Sequence, residues 1–186
     1  MPSFKKITEM LIKRAKEKGA SSVKLIQARD VFVEDYVRLK CQYGCKKFAR
    51  YFTCPPYSPT SDETRKTLKN YSQGLLIEFS GLIDHDEQVK FHEGMSQLER
   101  EAFLNGLHKA FVYLSGPCQF CEICPAESIE NRNEFSKKDY KNPLKARPSL
   151  EACEIDVFKM VRKAGFKIDV VKEGECYKIF GLLLLK

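Results

Sequence analysis

The sequence predicts an α/β fold, in which helices flank a mixed sheet of about four to six strands and cysteine-rich loops gather at one end. Strand and helix patterns alternate over residues 74–185, and an amphipathic helix comes first. The chain has 186 residues, 43% hydrophobic and 31% charged, which is enough for one domain, 1–186, to bury a core without a metal. Six of the eight cysteines fall in two segments, 41–59 and 116–148.

The first elements are predicted from an apolar stripe and two extended segments. Residues 23–28 predict a short strand, and residues 31–33 with 36–39 predict a second extended stretch that leads to Cys41. The initial helix is capped by Ser3 and ends at Gly19. Its apolar stripe consists of Phe4, Ile7, Leu11, Ile12 and Ala15.

The middle of the chain predicts a helix, a strand, a long helix and a further strand. Thr60 to Glu63 has the pattern of a capping box, so a helix is expected over residues 61–71. An apolar strand follows at 74–80, and the longest helix at 86–107. A strand at 110–114 then ends directly before Cys118.

The C-terminal part predicts a helix and a hairpin. Ser149 is expected to cap a helix that continues through Val161 and turns Cys153 inward. Residues 166–170 alternate as a strand, residues 172–175 form a turn, and residues 176–185 return as an apolar strand. The basic stretch 127–147 has no clear periodicity.

The strongest chemical signal is a run of three cysteines, Cys118, Cys121 and Cys124, which is followed by a proline. Three sulfurs at this spacing can face one centre, since each gap spans about one tight turn. Such a run is typical of a ferredoxin-type [4Fe-4S] half-site, whereas zinc usually takes one Cys-x-x-Cys pair with two distant ligands. Three cysteines packed as small apolar side chains are the alternative that this spacing disfavours.

An earlier triple consists of Cys41, Cys45 and Cys54. Glycine and proline residues in this segment oppose long regular elements, so a metal is expected to shape the loop. Because six thiolates exceed the four that one cube takes, we predict two separate centres. Cys153 and Cys176 are candidate fourth ligands, and a buried apolar thiol is the alternative for Cys153.

The chain has no recognisable targeting or membrane segment. Residues 1–18 alternate apolar and basic side chains, and the longest apolar run, 182–185, is too short to cross a bilayer. We therefore expect a cytoplasmic protein with no membrane partner. In that reducing compartment thiolates are expected to hold metal rather than to form disulfides.

The formal net charge is +7, and the basic residues concentrate beside both cysteine triples. Such cations raise the potential of a negatively charged cluster, and they attract an acidic redox partner protein or an anionic substrate. An ordinary solvated surface is the alternative for any single lysine. No nucleic-acid-binding motif is visible, so nucleic acid is not an expected partner. The basic residues are Arg38, Lys40, Lys46, Lys47, Arg50, Arg132, Lys137, Lys138, Lys141, Lys145 and Arg147.

Three motifs together resemble the DUF2284 family of predicted cysteine-rich metal-binding proteins, which is common in anaerobic bacteria and methanogenic archaea. They are Cys-x3-Cys-x8-Cys-Pro-Pro-Tyr-Ser-Pro-Thr within 39–60, Gly-Pro-Cys-x2-Cys-x2-Cys at 116–124, and Ala-Arg-Pro-Ser-Leu-Glu-Ala at 146–152. The resemblance covers most of the chain and implies metal binding without naming an activity. Where the family pattern has a further cysteine before the third motif, this sequence has Tyr140.

Three functions follow from these observations. The first is a ferredoxin-like electron-transfer or redox accessory protein that carries one or two [4Fe-4S] clusters. The second is a cluster-dependent enzyme or sulfur carrier, in which an incomplete triple leaves one iron open. The third is an interaction module stabilised by zinc. No paired carboxylates, Ser-His-Asp set or phosphate-binding loop identifies a catalytic residue or a substrate.

Overall fold

A four-stranded antiparallel sheet forms the centre of the fold, with strands in the order β1-β2-β4-β3. The computed structural model describes residues 2–81, 84–128, 136–170 and 177–186. The strands are β1 (Ser22–Gln27), β2 (Gln73–Gly81), β3 (Phe111–Tyr113) and β4 (Tyr177–Leu184). The α-helices are α1 (Phe4–Glu17), α2 (Tyr36–Gly44), α3 (Ser61–Leu68), α4 (His85–Leu104) and α5 (Val157–Lys163).

The predicted α/β class and number of strands are confirmed, with one correction to the expected mixed sheet. Helix α4 connects β2 to β3, and these two strands run in the same direction because each pairs antiparallel with β4. Strand β4 lies between them and separates the parallel strands. Every pairing in the described sheet is therefore antiparallel, although the crossover through α4 is that of an α/β unit.

Apolar layers cover both faces of the sheet. Successive residues of β2 alternate between them, so Leu75 and Ile77 pack with α1 and α4 while Leu76 packs with α5 on the other face. Residues Leu182 to Leu184 of β4 are fully buried, as expected of a strand covered on both sides. The apolar character of β2 and β4 in the sequence thus reflects their central position.

Three predicted helices are confirmed: α1 at the N-terminal end, α3 after Thr60, and α4 between β2 and β3. The Ser3 hydroxyl accepts from the Lys6 amide at the start of α1. At the start of α3, Thr60 and Glu63 form the predicted capping box, which satisfies two amides that a helix end leaves unpaired. Helix α4 is the longest helix of the described residues.

The predicted extended stretch before Cys41 is wrong at residues 36–39. These residues belong to α2, which reaches Gly44, while Val33 forms only an isolated bridge with Ile155. Tertiary contacts decide the conformation, because the Tyr36 hydroxyl donates to Asp156 at 2.7 Å and the Arg38 guanidinium pairs with Glu154 at 2.7 Å.

The single helix predicted from Ser149 through Val161 is also corrected. A 3-10 turn at Glu151–Cys153 ends at Glu154, whose left-handed φ of 61° stops the helix. Helix α5 then starts afresh, with the Asp156 side chain accepting from the Lys159 amide. The chain therefore changes direction at Glu154, between the 3-10 turn and α5.

The predicted C-terminal hairpin is confirmed only in its second strand. Residues 166–170 form no strand, and β4 instead pairs with β2 along its length and with β3 at Leu182 to Leu184. The predicted turn at 172–175 and Cys176 lie outside the described residues. No helix in the described part of the chain is long and apolar enough to cross a membrane.

Candidate metal centre

The first triple, Cys41, Cys45 and Cys54, is brought together by the end of α2 and a tight turn. Cys41 lies on α2 and Cys45 caps its end, which corrects the expectation of an irregular loop from Cys41 onward. The Cys54 carbonyl accepts from the Tyr57 and Ser58 amides at 3.0 and 3.1 Å, and this turn directs the chain back. The three thiols interact electrostatically: burial raises the pKa of Cys54 to about 12, with further increases from Cys45 and Cys41.

The second triple, Cys118, Cys121 and Cys124, lines one small cavity of about 20 Å³ together with Tyr140 and Asn142. Burial raises the pKa of Cys118 to about 11, and the charges of Cys121 and Cys124 raise it further. A space of this size holds about one water molecule. A four-iron cluster would therefore require side chains that line the cavity to move outward.

The two triples lie against each other. The Cys118 amide donates to the Thr53 hydroxyl at 3.3 Å, and the charge of Cys124 adds to the raised pKa of Cys54. Phe52 packs with Cys124 in a small apolar cluster beneath three tyrosines, Tyr51, Tyr57 and Tyr140. These rings exclude water from the junction between the triples.

Two side chains of the 136–148 segment contact the second triple. The Asn142 amide donates to the Cys121 sulfur at 3.4 Å, and the Tyr140 hydroxyl donates to the Phe52 carbonyl at 3.2 Å. Burial raises the pKa of Tyr140, and the charges of Cys124 and Cys118 raise it further. Tyr140 thus lies beside the thiols of the second triple.

An ion pair links the 136–148 segment to helix α4. The Arg147 guanidinium pairs with Glu99 on α4 at 2.6 Å and donates to the carbonyls of Pro143 and Ala146. Glu99 also accepts from the Val112 amide of β3 at 2.8 Å. The Ala-Arg-Pro-Ser motif therefore positions the segment that carries Tyr140 and Asn142.

Several basic residues near the triples are already paired. Arg38 pairs with Glu154, Lys145 with Glu93 at 2.6 Å, and Arg147 with Glu99. Their charge is largely offset by these carboxylates. Lys46, Lys47 and Arg50 are exposed, and they remain candidates to meet an acidic partner.

The two remaining candidate ligands differ in what the structure describes. Cys153 is fully buried in the apolar cluster of Leu150 and Ile155, and this burial raises its pKa. Cys176 lies outside the described residues. Within the described part of the chain, no three His, Cys, Asp or Glu side chains converge closely enough to hold a metal ion.

A larger cavity, which we call the large cavity, adjoins the first triple. Its volume is about 940 Å³, and Cys41, Cys45 and Glu151 are part of its wall. The rest of the described wall is mainly apolar with three lysines and two aspartates, and includes Tyr36, Lys40, Ile155, Asp156, Phe158 and Phe180. A concave, mostly apolar space with a few polar groups is typical of a small-molecule site.

Two further polar side chains have buried polar atoms: Glu151, which the sequence analysis did not single out, and His92, which its sequence context predicted to be a surface or core-rim histidine. Glu151 lies between two buried apolar residues, Leu150 and Ala152. An acidic residue within such an apolar stretch is the sequence signal that could have identified it. His92 is 1% exposed on α4, and its Nε2 lies 3.2 Å from the Ser115 carbonyl. Burial lowers the pKa of His92 to about 4.

Two neighbouring cysteine triples on an α/β scaffold define a class of cysteine-rich metal-binding proteins. The chain belongs to DUF2284, a family described as predicted metal-binding proteins, whose model matches residues 24–185. The resemblance seen in the three motifs is thereby confirmed. No curated protein and no solved structure matches the chain.

Proposed function

We propose that the chain carries [4Fe-4S] clusters at two neighbouring centres and acts as a ferredoxin-like redox accessory protein. The observation that carries the proposal is the contact between the triples, where the Cys118 amide donates to the Thr53 hydroxyl and the charge of Cys124 contributes to the raised pKa of Cys54. Two clusters at such positions could exchange an electron directly. The six thiols match the ligand type of iron–sulfur clusters.

The protonation state of the metal-free thiols is compatible with a site that forms only when metal binds. Burial raises the pKa of Cys41, Cys54 and Cys118 above the ordinary value, so the metal-free thiols are neutral at pH 7. Neutral thiols can be buried without a charge that needs compensation. A bound cation would favour their thiolate forms, and binding should therefore release protons.

The surface beside the first triple fits a redox partner. Cys45 is exposed, so a cluster at this centre would lie near the surface. Lys46, Lys47 and Arg50 form an exposed basic patch around it. An acidic partner protein would be attracted to this patch, and its association should weaken as salt is added.

A serine scan under anaerobic conditions tests the proposal. Cys124→Ser should remove one cluster and leave the absorption of the other, whereas Cys45→Ser should do the reverse. Cys153→Ala is the matched control for loss of a buried thiol. Full retention of iron and sulfide in both ligand variants would contradict the proposal, and stoichiometric zinc without sulfide would favour the zinc-stabilised module.

A cluster-dependent enzyme or sulfur carrier is the second candidate. The large cavity favours it, because Cys41 and Cys45 form part of a wall that is otherwise mainly apolar. An iron at the first triple with an exchangeable ligand would then face space for a substrate. A change in the cluster's absorption on addition of a small thiol would support this candidate, and an unchanged spectrum would oppose it.

A further inference from the structure

The described wall of the large cavity combines one face of a helix with part of the sheet. Helix α2 contributes Tyr36 and Lys40, which lie about one turn apart on the same face, and β4 contributes residues 178–180. The start of α5 and residues 167–170 complete the described wall. The volume of about 940 Å³ falls within the range of small-molecule sites, so the cavity has room for an organic ligand.

Apolar side chains around this cavity remain exposed to solvent. Tyr36 is 51% exposed, Phe158 38% and Val170 82%, and all three are part of the wall. Single exposed apolar residues are ordinary, whereas an apolar concave surface is typical of a binding site. A ligand with an apolar body would remove this surface from water, which favours binding.

Two charged groups of the described wall already have partners. The Asp156 carboxylate accepts from the Tyr36 hydroxyl at 2.7 Å and from the Lys159 amide at 2.9 Å. The Lys178 ammonium pairs with Glu78 at 3.2 Å. These charges are compensated within the fold, so they contribute little to the choice of a charged ligand.

Lys40 is the charge of the wall that has no opposite charge on its own element. Its side chain is exposed, and no ion pair or hydrogen bond joins it to another described residue. Helix α2 contains no acidic residue. Lys167 is exposed as well, but Asp169 lies two residues further along the same segment. Burial raises the pKa of Glu151 and thereby favours its neutral form, so the cavity offers a cation beside apolar surface.

We propose that the large cavity binds a small molecule with an apolar body and a single carboxylate, and that Lys40 binds the carboxylate. The body lies against the rings of Tyr36, Phe158 and Phe180, which form part of the wall. The inference goes beyond the proposed function, because it uses no metal at either triple. A lysine ammonium attracts a carboxylate as a point charge, so the apolar wall sets the shape of the ligand.

Isothermal titration calorimetry of the full chain with octanoate tests the site. Octanol and octylammonium are matched probes, because they keep the apolar chain and change only the head group. Octanoate should saturate a single site per chain and bind about tenfold more tightly than either of the other two. Lys40→Met should weaken octanoate binding about tenfold and leave octanol binding unchanged, since methionine keeps the apolar stem. Lys46→Met, which removes an exposed lysine outside the described wall, should behave as wild type.

A second pair of variants tests the apolar part of the site. Phe158→Glu should weaken octanoate binding by more than about tenfold, because it removes a ring from the wall and adds a negative charge. Phe103→Glu changes an exposed ring on α4 that is not part of the described wall, so it should have no effect. Both rings are partly exposed, and circular dichroism of each variant should match that of the wild type.

Three results would overturn the inference. They are the absence of saturable octanoate binding in the wild type, equal affinity for octanoate and octylammonium, and unchanged octanoate affinity in Lys40→Met. Equal weakening in Phe158→Glu and Phe103→Glu would contradict the location in the large cavity. Iron and sulfide analysis of the same samples reports on the proposed function separately.

Discussion

Replacing Arg147 with methionine should destabilise the fold far more than the same change at Lys145. Both residues pair with carboxylates on α4 at 2.6 Å, but the Arg147 and Glu99 side chains are 18% and 13% exposed, against 49% and 39% for Lys145 and Glu93. Breaking a buried pair leaves an uncompensated charge and costs roughly 3–5 kcal/mol, so the small remaining exposure suggests about 3 kcal/mol. An exposed pair contributes about 0–1 kcal/mol.

The cost at Arg147 is large because several contacts are lost together. Without the guanidinium, the Val112 amide is the hydrogen-bond donor that the Glu99 carboxylate keeps among the described residues. The carbonyls of Pro143 and Ala146 lose a donor as well. The 136–148 segment should therefore loosen, and with it the contacts of the second triple.

Urea denaturation of the reduced, metal-free chain measures the difference. Arg147→Met should lower the free energy of unfolding by about 3 kcal/mol, and Lys145→Met by about 0.5 kcal/mol. Methionine preserves the apolar stem in both variants, so the comparison isolates the charged group. Equal losses within about 0.5 kcal/mol would refute the reasoning that burial of the ion pair anchors this segment.

Four further predictions concern the site and its surroundings. His92 has its pKa lowered to about 4, so the unfolded chain binds more protons below pH 6.5, and stability should fall by up to about 3 kcal/mol between pH 6.5 and 4. His92→Gln should reduce this pH dependence in urea titrations. Asn142→Ala should lower the potential of the second centre by roughly 20–45 mV in redox titrations, if the hydrogen bond to Cys121 favours the reduced state by about 0.5–1 kcal/mol. Tyr140→Cys should add a thiolate beside the second triple and slow the loss of metal to a chelator. Cys153→Ser should keep its metal and lose about 1–3 kcal/mol of stability, because a hydroxyl replaces a thiol in an apolar cluster.

Each of these four predictions would be contradicted by a specific result. A pH dependence that persists in His92→Gln would assign the titration to another group. An unchanged potential in Asn142→Ala would show that its hydrogen bond does not tune the cluster, and faster chelation from Tyr140→Cys would show that the tyrosine is needed as it is. Loss of one cluster in Cys153→Ser would restore the ligand role predicted from its inward position.

Elements with local signals were predictable from the sequence. Three elements have their signal within a short stretch of sequence. They are the apolar stripe of α1, the capping box at Thr60 and Glu63, and the apolar run of β2. The spacing of Cys118, Cys121 and Cys124 predicted one shared metal centre; the three residues line a single cavity, and their shared metal stays a prediction. In such cases the determining contacts lie within a few residues of one another.

Elements decided by distant contacts were not predictable in the same way. Residues 36–39 alternate like a strand, yet pairings of Tyr36 with Asp156 and Arg38 with Glu154 place them on a helix. The apolar spacing after Ser149 continues through Glu154, although that residue interrupts the helix. The position of Glu151 beside Cys41 depends on both of these features, so no local pattern could reveal it.

The most direct test of the account is the metal content of the chain purified without oxygen. Iron, zinc and acid-labile sulfide should be measured per chain in the same sample. Two [4Fe-4S] centres predict about eight irons and about eight sulfides per chain with little zinc. About four irons would reduce the two centres to one, and stoichiometric zinc without sulfide would contradict the central claim that the cysteine triples hold iron–sulfur clusters.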